Sequence, residues 1–153
     1  MAPAGGTLTV PVGASNFGHS VAISGNTAVV GATDFTSTPG TAYTYIKAKG
    51  AAWSAGPNFT LLGPASTPRD DFGVVAISGG YVIVGAEDTG SFTGAAYIYK
   101  RAGGVWSIPT ATLTYPSSAP GDQFGISVAI SGSAEIVGTG SYAPDGAAFI
   151  YQK

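Results

Sequence analysis

The residues best suited to chemistry in this chain are acids and aromatics that share a set of loops. Seven of the eight acidic residues lie in segments that we predict to be loops, and three of these segments hold one aromatic each. Carboxylates bind cations and accept hydrogen bonds, and an exposed aromatic ring can stack on a sugar or a protein. The candidate ligand-facing residues are Asp34, Phe35, Asp70, Asp71, Glu87, Asp88, Phe92, Asp122, Tyr142 and Asp145.

These residues also have a simpler interpretation. Asp70, Asp71 and Asp122 come directly before a Phe-Gly pair or within one residue of it, where a carboxylate can accept backbone hydrogen bonds from a turn. The aromatic of each loop can anchor that loop against its neighbour. Both interpretations stay open at the level of the sequence.

No residue set indicates catalysis. His19 is the only histidine, and no serine-based nucleophile motif, phosphate-binding loop or cluster of metal ligands is present in the sequence. We therefore predict no catalytic, cofactor-binding or metal-binding residue, and a protein that is not an enzyme. A hydrolase or lyase would need a polar cluster near the centre of the fold.

Composition excludes several classes of protein. The chain has 153 residues, of which 44% are hydrophobic and only 9% charged, with a net charge of −2. That charge gives no basic surface for nucleic acid, and no run approaches the ~20 apolar residues of a membrane span. Cysteine is absent and no signal peptide is evident, so localisation stays unknown. A chain with so few charged residues suits an extracellular or cell-surface protein. That composition without a signal peptide favours a fragment of such a parent, or a designed protein.

One sequence motif recurs three times and predicts the repeated unit that must position these loops. The run Val-Ala-Ile-Ser-Gly occurs around Ile23, Ile77 and Ile130, which stand 54 and 53 residues apart. A period near 50 residues indicates one supersecondary unit copied in series, each copy burying its apolar face against the next.

Each copy contains four short β-branched or aromatic runs separated by glycine, which is typical of strands. Gly25-Asn26 and Gly79-Gly80 are typical of tight hairpin turns. Pro57 and Pro109 interrupt the fourth run, so we expect a broken edge strand there. Four antiparallel strands are typical of a propeller blade, with the first strand at the axis and the fourth at the rim.

The predicted fold class is therefore all-β: a β-propeller unit over residues 1–153 with four-stranded blades. Three blades are expected at about 17–61, 72–114 and 124–151. Trp53 and Trp106 belong to the fourth strand, where packing on the flank of the blade is the simpler interpretation. A β-solenoid or stacked sandwich is the alternative, but solenoid coils are usually shorter.

The repeated unit resembles the FG-GAP repeat. The resemblance lies in Phe17-Gly18, Phe72-Gly73 and Phe124-Gly125, each followed by the recurring motif, and in Gly-Ala-Ala-Tyr-Ile-Tyr from Gly94 to Tyr99. It implies an integrin-like propeller with a binding or adhesion role. Family members often carry a calcium loop of three spaced aspartates between the second and third strands. None of the three loops here has that pattern, so calcium binding is not implied.

The chain ends suggest how the propeller closes. The third copy stops at Lys153 without a Trp strand, whereas Thr7–Val10 at the start matches the Thr-Leu segments at 60–61 and 112–113. We expect segment 7–10 to supply the outer strand of a third blade, by strand exchange within a homodimer of six blades. A larger ring, or a fragment of a six- or seven-bladed parent, are the alternatives.

Charge placement adds one further expectation. The acidic loops share one face of a propeller, whereas five of the six basic residues follow the third strand, on the other face. Chance segregation of solvated loops is the simpler interpretation of the charges.

The repeats, the unfinished third copy and the lack of a catalytic motif favour a non-enzymatic, self-assembling repeat scaffold. The alternative is a carbohydrate- or protein-binding module that uses the acidic, aromatic loop face.

Overall fold

The computed structural model describes residues 6–34, 38–64, 69–115, 119–140 and 146–153. The expected all-β fold is confirmed. Three antiparallel sheets follow one another along the chain. Their strands are β1 (Phe17–Ser24), β2 (Thr27–Ala32), β3 (Thr41–Ile46), β4 (Phe59–Leu61), β5 (Phe72–Ser78), β6 (Tyr81–Ala86), β7 (Ala95–Ala102), β8 (Val105–Trp106), β9 (Ala111–Leu113), β10 (Ser127–Ser131), β11 (Ala134–Gly138) and β12 (Ala148–Gln152).

Each sheet has the order expected of a propeller blade. The first sheet is β1-β2-β3-β4, the second is β5-β6-β7-β8 with β9 also on β7, and the third is β10-β11-β12. We call them blades 1, 2 and 3. A short helical turn, α1 (Thr89–Phe92), lies between β6 and β7. Its residues Gly90, Ser91 and Phe92 have positive φ, so no right-handed helix is built there.

The hairpin turns form where glycine allows them. Gly25, Gly79 and Gly132 have φ angles of 57°, 55° and 57°, a left-handed conformation that favours glycine. The strand pairs on either side keep one register in all three blades, with Ser24 opposite Thr27 in blade 1. The predicted hairpins are therefore confirmed.

The fourth strand is broken, as its proline predicts. In blade 2, β8 pairs Trp106 with Arg101, and β9 pairs Leu113 with Ala96 further along the same strand. Pro109 lies between them and cannot donate a ladder hydrogen bond. In blade 1, a bridge from Lys47 to Trp53 takes the place of β8.

The core lies between the blades. Phe72 is fully buried; its ring centroid is 6.2 Å from that of Tyr99 in the same blade, and it packs with Val29 and Leu61 of blade 1. Phe124 of blade 3 packs in the same way against Ile83 of blade 2. The backbones approach so closely that a side chain at Gly31 would overlap the carbonyl of Gly73. The second and third Phe-Gly pairs are therefore packing residues between the blades.

Blade 3 has three strands within the described residues, and no strand pairs there with the outer edge of β12. No helix in the described part of the chain is long and apolar enough to cross a membrane.

Candidate functional site

Two loops meet where blade 2 begins and bring four acids together. Asp70 and Asp71 lie just before β5, and Glu87 and Asp88 lie just after β6. The backbone N–H of Asp88 donates to the carbonyl oxygen of Asp70 at 3.3 Å, which joins the loops. Buried Phe72 anchors the first loop, since its ring is held between the blades. We call these four residues the acidic cluster.

Asp70 has a structural role within the cluster. Its Oδ1 accepts hydrogen bonds from the backbone N–H groups of Gly40 at 3.0 Å and Phe72 at 3.1 Å. Burial raises the pKa of this carboxyl, and the backbone hydrogen bonds lower it in part. Asp122, at the same position in blade 3, accepts from the N–H of Ala119 at 2.6 Å. The expectation that these two aspartates accept backbone hydrogen bonds is confirmed.

Asp71 differs from both. It is 2% exposed, and its Oδ1 has no hydrogen-bond partner among the described residues. Burial, a hydrogen bond with the Asp88 carboxyl and the charges of Asp88, Glu87 and Asp70 raise its pKa from 3.8 to about 7. Asp71 also has a φ of 49°, an uncommon conformation for a residue other than glycine. These surroundings therefore favour the protonated form of the Asp71 carboxyl group at pH values well above 3.8.

A second carboxyl group of the cluster is also affected by its surroundings. Burial and the charge of Asp88 raise the pKa of Glu87. Within the described residues, no group of three or more histidine, cysteine or acidic side chains is arranged to hold a metal ion.

Among the other described residues of the predicted set, Phe92 contacts the acidic cluster, since its N–H donates to the carbonyl oxygen of Asp88 at 3.4 Å. Asp34 is buried in blade 1, where its carboxylate accepts a hydrogen bond from the Thr38 hydroxyl. Phe92 is 47% exposed, and its carbonyl accepts from the N–H groups of Gly121 at 3.1 Å and Gln123 at 2.8 Å. Phe35, Tyr142 and Asp145 lie outside the described residues. The ligand-facing role of the set stays a prediction, and Asp34, Asp70, Asp71 and Asp122 have little surface to offer a ligand.

A second polar group was missed at the level of the sequence. Glu135 of β11 is 3% exposed, and its Oε1 lies 3.2 Å from Nζ of Lys153. The same Nζ lies 3.6 Å from the ring centroid of Tyr81 in blade 2. An alignment of the repeats would have identified Glu135, because the equivalent residues of blades 1 and 2 are the apolar Ala28 and Val82.

The two tryptophans pack as their simpler interpretation holds. Trp106 is buried with Tyr99 and Leu61, and Trp53 packs with Tyr45 and Leu8. Each tryptophan therefore packs at the rim of its blade beside a tyrosine of the third strand.

Comparison with known proteins agrees with the repeated pattern. The FG-GAP repeat model matches residues 11–45 and 109–151, together just over half of the chain. The first match covers β1, β2 and most of β3, and the second runs through β9 and blade 3. No curated protein is similar enough to this chain to match it. The chain belongs to the FG-GAP repeat family.

Proposed function

We propose that the chain is a self-assembling propeller scaffold without catalytic activity, and that two copies close a ring of six blades. The observation that carries the proposal is the exposure of interface residues at the two ends of the blade series. Val21 on β1 is 68% exposed, whereas its counterpart Val75 is 6% exposed. Ile150 on β12 is 69% exposed, whereas its counterpart Ile98 is 4% exposed. Each end of the blade series therefore exposes residues whose equivalents are buried between neighbouring blades.

The N-terminal segment supports strand exchange. Tyr45, Tyr99 and Tyr151 each donate a phenolic hydrogen bond to a carbonyl of the preceding outer strand, at Thr9 (2.9 Å), Leu62 (2.6 Å) and Thr114 (3.1 Å) respectively. Thr9 is thus equivalent to Leu62 and Thr114, and Leu8 to Leu61 and Leu113. Since Leu61 pairs with Ala42 and Leu113 with Ala96, the partner expected for Leu8 is Ala148 on β12 of a second chain.

Hydrogen bonds from backbone N–H groups to serine hydroxyl groups support the same contact. Oγ of Ser24 accepts from the N–H of Gly79 in the next blade at 3.1 Å, and Oγ of Ser78 accepts from the N–H of Gly132 at 3.2 Å. Ser131 occupies the same position in blade 3 and is exposed. In the proposed ring it accepts from Gly25 of the second copy.

Two copies are the smallest number that gives a closed propeller of ordinary size. Three blades fall below the usual four to eight, six blades fall within that range, and nine exceed it. An unclosed arc would leave apolar faces and a strand edge in water, both of which promote association.

Native mass spectrometry tests the proposal. We expect a particle of twice the 15.1 kDa chain mass at micromolar concentration. Ile150→Glu should give monomers, because it places a charge in the new interface. Ile108→Glu is the matched control: Ile108 is 85% exposed on the outer rim, away from both end faces, and this variant should remain dimeric. A wild-type protein that is monomeric would refute the proposed ring. So would two variants that form particles with the same number of chains.

A second candidate function is binding of a glycan or protein on the acidic, aromatic loop face. Phe92 favours it, because the ring is exposed while the backbone is held in a left-handed conformation by three hydrogen bonds. A rigid exposed aromatic can stack on a sugar at low entropic cost. A glycan array with wild type and Phe92→Ser tests it: binding that Phe92→Ser leaves unchanged, or no binding, would count against this face.

A further inference from the structure

The outer rim between blades 2 and 3 contains an open groove with a volume of about 470 Å³. Its walls combine aromatic and aliphatic side chains with one buried carboxylate. They include Tyr81, Ile98, Leu113, Glu135, Tyr151 and Lys153. We call this cavity the rim groove.

The other two blades fill the same position with an indole. Trp106 packs beside Tyr99 and Leu61, and Trp53 packs beside Tyr45 and Leu8. The equivalent residues at the rim groove are Tyr151 and Leu113, which belong to one apolar cluster that contains no tryptophan. The groove is therefore the counterpart of a tryptophan site.

The serine after each tryptophan makes a paired contact with the third strand. The N–H of Ser107 donates to the carbonyl of Lys100 at 2.9 Å, and the N–H of Lys100 donates to Oγ of Ser107 at 3.1 Å. Ser54 exchanges the same two bonds with Ile46, each at 3.4 Å. A Trp-Ser pair thus docks through its ring and through one serine.

Gln152 provides the matching backbone in blade 3. It stands opposite Ala134, as Lys100 stands opposite Tyr81 in blade 2. The neighbouring Lys153 N–H donates inward to the Ser133 carbonyl. By strand alternation, the N–H and carbonyl of Gln152 point outward, to an edge that no described strand covers.

Glu135 gives the rim groove a feature that the other two sites lack. Its Oε1 is buried and accepts no hydrogen bond of good geometry from the described residues, although Lys153 lies beside it. In blade 2, the indole N–H of Trp106 is buried without an acceptor among the described residues. A carboxylate oxygen in the groove can accept from an indole N–H, which needs a partner when it is buried.

We infer that the rim groove binds an extended peptide segment that carries a Trp-Ser pair, which adds to the edge of β12. The indole enters the groove between Tyr151 and Leu113 with its N–H directed at Glu135. The serine then exchanges two hydrogen bonds with the backbone of Gln152, as in β-strand addition. The inference does not depend on the six-bladed ring, because Gln152 lies beyond the register position at which Leu8 would pair.

A synthetic peptide tests the inference on the intact chain. The peptide Gly-Gly-Val-Trp-Ser-Ile-Pro, which copies residues 103–109, is titrated into isotope-labelled protein and followed by NMR. We expect saturable shifts at Gln152, Lys153 and Tyr81. Replacing the peptide tryptophan by alanine should weaken binding at least about tenfold, because buried tryptophans dominate such contacts. Equal binding of the two peptides, or shifts confined to other blades, would overturn the inference.

Protein variants locate the contact. Gln152→Pro removes the outward N–H but leaves the inward ladder hydrogen bond of Lys153. It should lower the affinity for the tryptophan-containing peptide at least about tenfold. Gln152→Ala keeps the backbone donor and should bind as the wild type does. Equal affinity of these two variants would refute the pairing.

Joining the peptide to the chain makes weak binding detectable, because the linkage raises the effective concentration of the peptide segment. Ala-Gly-Gly-Val-Trp-Ser, which copies residues 102–107, is appended after Lys153. The midpoint of thermal unfolding should exceed that of the same extension with alanine in place of tryptophan. If the midpoints are equal and the free peptide does not bind, the inference fails.

Discussion

Asp71 gives the most direct test of how the acidic cluster affects stability. Asp71→Asn removes one negative charge while keeping nearly the same shape. Asn is well tolerated at the φ of 49° that Asp71 adopts. The chain contains its own precedent, because the equivalent residues before Phe17 and Phe124 are Asn16 and Gln123, with φ angles of 45° and 49°. A neutral amide is therefore compatible with this backbone.

The magnitude follows from the pKa of Asp71. Because the folded chain raises that pKa from 3.8 to about 7, the folded state binds the proton more tightly than the unfolded state. The resulting stabilisation is complete below pH 3.8 and is lost as the pH rises through about 7. At 1.36 kcal/mol per pKa unit, the loss is at most about 4 kcal/mol. Solvent screening within these loops reduces it, and we expect about 2 kcal/mol.

Urea unfolding from pH 4 to pH 8 measures the effect, at one protein concentration because association would shift the midpoint. Asp71→Asn should be more stable than wild type by about 2 kcal/mol at pH 8 and similar to it at pH 4. Asp122→Asn is the control: its carboxylate accepts a backbone N–H, so it should show no gain at pH 8. A difference between Asp71→Asn and wild type that stays constant with pH, or a loss of stability at pH 8, would refute the reasoning.

Two further predictions concern the packing between blades. Gly85→Ala should destabilise the fold by about 3 kcal/mol, because its Cβ would overlap the carbonyl of Gly125, whereas Gly56→Ala has open space and should change urea stability little. Tyr99→Phe should cost about 1–2 kcal/mol, because it leaves the Leu62 carbonyl without the 2.6 Å hydrogen bond that ties blade 2 to blade 1. Unfolding of Gly56→Ala at the same midpoint as Gly85→Ala, or of Tyr99→Phe at the wild-type midpoint, would contradict these assignments.

The strands and hairpins could be predicted because their signals are local. Each strand is a short β-branched or aromatic run, and each tight turn needs a glycine with positive φ, so both are visible within a few residues. Pro109 likewise breaks the fourth strand through its own missing N–H. The differences are at the boundaries: β10 begins at Ser127, whereas β1 and β5 begin at the phenylalanine of their Phe-Gly pair.

The acidic cluster could be predicted only in part. The sequence indicated loops rich in acids, but not that the carboxyl group of Asp71 would meet that of Asp88. That contact depends on how the loop before β5 and the loop after β6 come together. Burial was also hidden, because a carboxylate such as Asp70 leaves solvent only when a neighbouring blade supplies its donor, here the N–H of Gly40. Charge counts along a chain carry no information on such donors.

The differences between repeats are the best guide to what this scaffold does beyond folding. At the position of Asp71, two of three blades use a neutral amide, so the blade architecture does not require a carboxylate there. At the position of Glu135, the other two blades use Ala28 and Val82, so a carboxyl group is again not needed for packing. Both residues carry a cost of burial, and costly exceptions to a repeated pattern are expected where a protein functions. Glu135→Val would therefore separate a role in packing from a role in peptide binding. It should leave the fold intact, since blade 2 has Val82 at this position, and it should weaken binding of the Trp-Ser peptide. A Glu135→Val variant that binds the peptide as tightly as the wild type does would show that this carboxylate takes no part in peptide binding.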